Sequence, residues 1–309
     1  MNTSQLKWAA AVLGIVLILW GISEALSERP DDRETARVIP LLTAEQVDRV
    51  TITSPDDTLA LARAGDAWTV NGLPASGEEV TRLFAGLADS TPGELAATSP
   101  AVHARMGVDE SGSRFTFLHG ADTLGSVIFG NRGKTRSSYL VRRVGNDAVY
   151  LYSGPLAAVA GHGLDDWRDK IIVDAAGPSV GRLEVSRAHQ RYVLEADSTG
   201  WRLAGRQSAP ADSGTVARLL ARFHPLKANT FPTAAQLDSA DFSRPDRRLT
   251  LLGTSGDTIA ALVFDSTATG YWVRRAGGGT VYGMNKWEAD QIMPSKSGLV
   301  ASPGGAGRP

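Results

Sequence analysis

Pro74-Ala75-Ser76, followed by Val80, Arg82, Leu83, Phe84 and Leu87, returns later as Pro210-Ala211-Asp212, followed by Val216, Arg218, Leu219, Leu220 and Phe223, always at an offset of 136. Landmarks on either side repeat at nearly the same distance. Asp66-Ala67-Trp68 answers Thr199-Gly200-Trp201 at 133, and Tyr139-Leu140-Val141-Arg142 answers Tyr271-Trp272-Val273-Arg274 at 132. Val149-Tyr150 answers Val281-Tyr282, again at 132. A drift of four residues is what loop insertions and deletions leave between two copies of one domain. The repeated positions are mostly apolar or turn-forming. A scaffold has been duplicated, and no catalytic constellation is duplicated with it.

Within each copy the pattern is strands, helix, strands. Val50 and Ile52, Leu59-Ala60-Leu61 and Trp68-Thr69-Val70 alternate like half-buried strands, and Asn71-Gly72 is a hairpin turn signal. Ser76 and Glu79 have capping-box spacing, and Val80, Leu83, Phe84 and Leu87 fall on one helical face. Strands are expected again over 114–118, 124–129, 138–142 and 148–152. The second copy predicts strands at 180–186, 192–195 and 201–203, and a helix capped by Asp212 or Ser213. A second meander follows over 249–252, 259–264, 271–274 and 280–282. The fold class expected is α+β: one N-terminal transmembrane helix, then two tandem repeats of an antiparallel sheet with helices packed on one face.

Trp8 to Ser23 is uncharged and lies between Lys7 and Glu24. As a helix it would rise roughly 24 Å, at ~1.5 Å per residue, a little short of a ~30 Å hydrocarbon core. Snorkelling of Lys7 and interfacial Trp8 and Trp20 make up the difference. Positive charge before the run and Glu24 and Glu28 after it place the N-terminus in the cytoplasm and the bulk outside. Gly14 and Gly21, seven residues apart, share a face where a partner helix can approach. A cleaved signal peptide ending near Ala25-Leu26-Ser27 is the competing reading. The expected organisation is an anchor over 1–26, a linker over 27–44, repeat one over 45–155, a helical junction over 156–177, repeat two over 178–292 and a flexible tail over 293–309.

Composition narrows the function. With 42% hydrophobic and 21% charged residues the chain is globular, and a net charge of −1 gives no lean toward nucleic acid. The absence of cysteine excludes disulfides, cysteine metal sites and thiol catalysis. Gly130-Asn131-Arg132-Gly133-Lys134-Thr135 lacks the upstream glycine of a P-loop, since Ile128 stands there, and reads as a basic hairpin turn. No two of His103, His119, His162, His189 and His224 have the spacing of a helical metal pair. Asp165, Asp166 and Asp169 alternate with Arg168 and Lys170, as local salt bridges would. No catalytic, cofactor or metal residue is assigned, and no enzyme is expected. Trp68 and Trp201 are expected in the core; Tyr271, Trp272 and Trp287 are the candidate partner surface.

The two Trp-bearing repeats, the Tyr-x-Val-Arg strands at Tyr139 and Tyr271, and Asp165-Asp166-Trp167-Arg168-Asp169-Lys170 together resemble the DUF4340 family of bacterial envelope proteins, over roughly residues 45–285. Some members of that family sit beside ABC-transporter components, including ones linked to gliding motility. The resemblance implies an accessory role at the inner membrane and brings no active site with it. The expected function is a non-catalytic, extracytoplasmic subunit that braces a larger integral-membrane complex through its anchor helix and its repeats. A photosynthetic or respiratory host fits the physical argument equally well. The alternative is a periplasmic solute- or glycan-binding module using the groove between the repeats.

Overall fold

The computed structural model describes residues 34–187, 190–205 and 208–300. The anchor expected over 1–26, with Trp8, Gly14, Trp20 and Gly21, lies outside these residues. Among the described residues no helix is long and apolar enough to cross a membrane. The fold is mixed α+β with antiparallel sheets and few helices. The chain divides into two compact units, one up to Gly163 and one from Leu164 onward.

In the first unit, β1 (Thr35–Ala36), β2 (Arg49–Thr53), β3 (Thr58–Ala64), β4 (Ala67–Val70) and β5 (Leu73–Pro74) precede helix α1 (Gly77–Ala88). Then come β6 (Gly93–Ala97), the one-turn α2 (His103–Met106), β7 (Ser113–His119), β8 (Asp122–Arg132), β9 (Tyr139–Arg143) and β10 (Val149–Tyr152). They form one sheet in the order β1-β6-β10-β9-β8-β7-β2-β3-β4-β5. Asn71 and Gly72 both take positive φ, 49° and 78°, as a two-residue hairpin turn requires. Only half of the expected capping box at α1 forms. Ser76 accepts from the Glu79 amide, but the Glu79 carboxylate turns to Arg82 instead, at 2.5 Å.

Helix α1 buries Val80, Leu83, Phe84 and Leu87, the face its spacing predicted. Gly86 lets it close on the 3-10 turn Pro155–Ala158; a Cβ there would stand 2.7 Å from the Leu156 backbone. The expectation of helices on one face needs correction here. Phe115, Phe117, Val127 and Phe129 are fully or almost fully buried. On β8, Ile128 lies between Val127 and Phe129, so its side chain points to the other face. There it forms a small second core with Val108 and Val149.

In the second unit, α3 (Leu164–Trp167) and β11 (Ile171–Val173) lead into β12 (Val180–Arg187), β13 (Gln190–Asp197), β14 (Gly200–Ala204) and β15 (Ala209–Pro210). Helix α4 (Ser213–Ala221), β16 (Leu226–Lys227) and α5 (Ala234–Ser239) follow. The unit closes with β17 (Arg247–Gly253), β18 (Thr258–Ser266), β19 (Gly270–Arg275), β20 (Tyr282–Asn285) and α6 (Lys286–Ile292). Read from β20, its main sheet runs β20-β19-β18-β17-β12-β13-β14-β15. That is the first unit's order from β10 to β5, strand for strand. The pair β11–β16 takes the place of β1–β6. It forms a separate two-stranded sheet, linked toward β20 by the bridge Thr230–Gly283.

Three boundaries differ from the sequence reading. Residues 34–44 are not a free linker: Thr35 and Ala36 pair with β6, and Val38 and Ile39 are each 2% exposed. The 156–177 junction is shared between the units and contains a strand, β11. Residues 293–300 are not a flexible tail, since Met293 and Leu299 are fully buried and Val300 bridges to Ala211. The Tyr192 hydroxyl donates to the Pro294 carbonyl at 2.8 Å, and burial pushes its pKa up. A short apolar residue every few positions is enough to tie such a segment down when the adjoining core offers a socket.

Candidate functional site

The same strand order does not give the two units the same surface. In the first, Trp68 on β4 is 9% exposed. Phe84 of α1 covers it with ring centroids 5.3 Å apart, and the guanidinium of Arg63, its neighbour across β3, lies 5.0 Å from the ring. In the second, Trp201 on β14 pairs with Ala196 on β13, where the first unit has Trp68 opposite Arg63. The residue at the offset of Phe84 is Leu220. Both covers are lost, and Trp201 is half-buried and only packed against the edge of the core.

The space left is a groove of about 560 Å³. Trp201 lines it, with Ala217, Leu220 and Ala221 of α4 and with Gly177 and Pro178 of the preceding 3-10 turn. Its lining is mainly apolar because α4 presents two alanines one turn apart toward it. Its volume falls within the range of small-molecule and side-chain pockets. At one end His224 pairs with Asp174. At the other, the Asp212 carboxylate caps α4 by accepting from the Thr215 amide at 2.7 Å. The side chain and amide of Thr215 hold that carboxyl below its ordinary range. The Asp212 amide donates to the Leu299 carbonyl at 2.9 Å, so the buried C-terminal segment steadies the helix start.

The candidate partner surface does not hold together as expected. Tyr271 faces the core at 8% exposure, edge-on to Phe264 and under the Arg247 guanidinium. Trp272 lies on the opposite face of β19 and is half-buried, close to Thr230 and Gly283. Trp287, on α6, is 63% exposed and meets Arg222 at 5.9 Å. The inner side of α6 packs into the core with Tyr271, so Trp272 and Trp287 are on different sides of the sheet.

The other sequence candidates have local partners or places in the strands. Asp165 pairs with Arg168 at 3.5 Å and Asp166 with Lys170 at 3.6 Å, the local salt bridges their spacing suggested. The 130–135 motif is the end of β8 and the turn into β9. His103 hydrogen-bonds through Nε2 to the Asp147 carbonyl at 2.8 Å, and His162 faces Glu79 at 3.5 Å. His189 lies outside the described residues. Among the described residues no cluster of three or more His, Asp or Glu side chains is placed to hold a metal ion.

A family model described as "Domain of unknown function (DUF4340)" matches residues 68–202. Over those residues the chain is similar to the DUF4340 family. The matched segment starts at Trp68 on β4 and ends one residue past Trp201 on β14. It therefore spans one period of the repeat, beginning in one unit and ending at the equivalent strand of the other, and covers under half of the chain. No curated protein matches. No solved structure matches.

Proposed function

We propose that the chain is a non-catalytic accessory subunit of a larger bacterial inner-membrane complex, built from two tandem copies of one α+β repeat. Residues 1–26 serve as a transmembrane anchor with the N-terminus in the cytoplasm, and the repeats lie outside it. The anchor packs through Gly14 and Gly21 against a partner helix, and the second repeat docks through the Trp201 groove. The observation that carries the reading is the asymmetry of the copies. One seals its tryptophan under Phe84 and Arg63, while the other leaves the equivalent ring open in an apolar groove. A duplicated scaffold that keeps one copy closed and opens the other is suited to binding, with one copy for stability and one for contact. An ABC-type transporter is the host that the family resemblance favours.

The tether supports this placement. Only residues 24–34 separate the apolar run from β1. Fully extended, they reach no more than about 40 Å at ~3.3–3.6 Å each, which keeps the first repeat near the bilayer. Purification of the full chain in mild detergent should recover it with a stoichiometric integral-membrane partner. Elution alone, as a monodisperse species, contradicts the reading. The second reading, a solute- or glycan-binding module, draws on the groove's volume and its Trp201 stacking face. It moves to first place if the chain purifies alone and a small ligand quenches or shifts Trp201 fluorescence.

A further inference from the structure

The basic turn after β8 does more than close a hairpin. Arg132 and Arg136 line a cavity of about 340 Å³ in the first unit, with Tyr139, Ala158, Gly161 and His162. Arg132 is fixed in position. Its guanidinium stacks on Tyr139 at 5.2 Å and donates through Nη1 to the Arg136 carbonyl at 3.1 Å. Both arginines are exposed, and no carboxylate lines the cavity. Glu79 lies beyond His162, 3.5 Å from its Nδ1, and is itself held by Arg82 at 2.5 Å.

The second unit shows how the same corner looks when its charge is matched. There Arg247 stacks on Tyr271, the counterpart of Tyr139, at 4.3 Å. Asp290 of α6 accepts from Arg247 at 2.7 Å and also pairs with Arg187 at 3.4 Å. Counting from the equivalent strands β10 and β20, at the offset of 132, the position of Asp290 is Ala158 in the first unit. So each unit has a guanidinium over this tyrosine, from Arg132 of β8 in the first and Arg247 of β17 in the second, but the first adds Arg136 beside it and has alanine where the second unit supplies the anion.

We propose that this cavity binds a phosphate group, free or as the ester of a lipid headgroup. Two guanidinium groups present forked donors suited to phosphate oxygens. The imidazole edge of His162 and the small Ala158 and Gly161 leave room for a tetrahedral anion.

The test uses the full chain purified in an uncharged maltoside detergent, titrated calorimetrically at low ionic strength with inorganic phosphate and, separately, with dihexanoyl phosphatidylglycerol. Saturable binding is expected for at least one of them. Arg132→Ala should weaken it about tenfold or more, as loss of a charge-assisted contact does. Ala158→Asp, which supplies the carboxylate the second unit carries, should abolish binding while leaving the unfolding transition in place. Lys134→Ala, in the same turn but outside the cavity lining, should change binding by less than about twofold, the scale of a screened surface charge. Equal binding of both ligands identifies the phosphate group itself as the determinant. Binding of the phosphatidylglycerol alone identifies a headgroup site. Failure of the wild-type chain to bind either, or binding that survives Ala158→Asp, overturns the proposal.

Discussion

Trp68→Ala is expected to cost the first unit about 3–5 kcal/mol, the range for removing a large buried aromatic. The ring is buried, and it makes an aromatic contact with Phe84 and a cation–π contact with Arg63. Truncation forfeits all three and leaves a cavity beneath α1, which Leu83 and Leu87 cannot fill without moving the helix. Trp201→Ala should cost much less, about 1–2 kcal/mol, because only part of that ring leaves water on folding. Leu220→Phe should then restore the missing lid. An aromatic pair is worth about 0.5–1.5 kcal/mol beyond its area. The variant should be as stable as the parent or more so, and its groove should be closed. Urea unfolding followed by circular dichroism measures all three. Equal costs for the two tryptophan variants would mean that the rings are equally covered and that no groove opens in the second unit.

The second large effect concerns attachment. Removing residues 1–26 while preserving export should reduce recovery with the partner complex by about a hundredfold or more. Two linked contacts act at a high effective concentration, which raises avidity by ~10²–10⁴ over either alone. Replacing Gly14 and Gly21 by leucine should give a partial loss, because it blocks close helix approach and keeps the apolar span. Comparative immunoblotting of detergent-purified complexes reads both. Unchanged recovery of the truncated form would place the whole interaction in the repeats.

Much of the fold was legible because both repeats carry strong local signals. The α1 face at Val80, Leu83, Phe84 and Leu87, and the Asn71-Gly72 turn, appear where the spacing put them. The elements that were missed are those with weak local signals. β1 and β11 have two and three residues, too few to alternate, and are strands only because β6 and β16 offer an edge. Met293 and Leu299 stand at the two ends of a polar stretch, Pro294-Ser295-Lys296-Ser297-Gly298, and their burial depends on sockets that the chain forms elsewhere. Tyr271 could have been placed correctly. Strand alternation puts it on the face of Val273 and opposite Trp272, so a buried Val273 implies a buried Tyr271. The groove was also readable in the aligned copies. Its signal is the pair of losses Phe84 to Leu220 and Arg63 to Ala196, which becomes meaningful only once the two strands are known to pair in the same register.

The most direct measurement places a photo-crosslinking residue at Ala217, inside the groove, and in a separate variant at Thr81, its exposed counterpart on the closed unit. Both are made in the full chain and illuminated in intact membranes. A subunit that docks through the second repeat gives a discrete adduct with one integral-membrane protein from position 217 and little or none from position 81. Equal adducts from both positions, or none from 217 while the full chain purifies alone, would contradict the account.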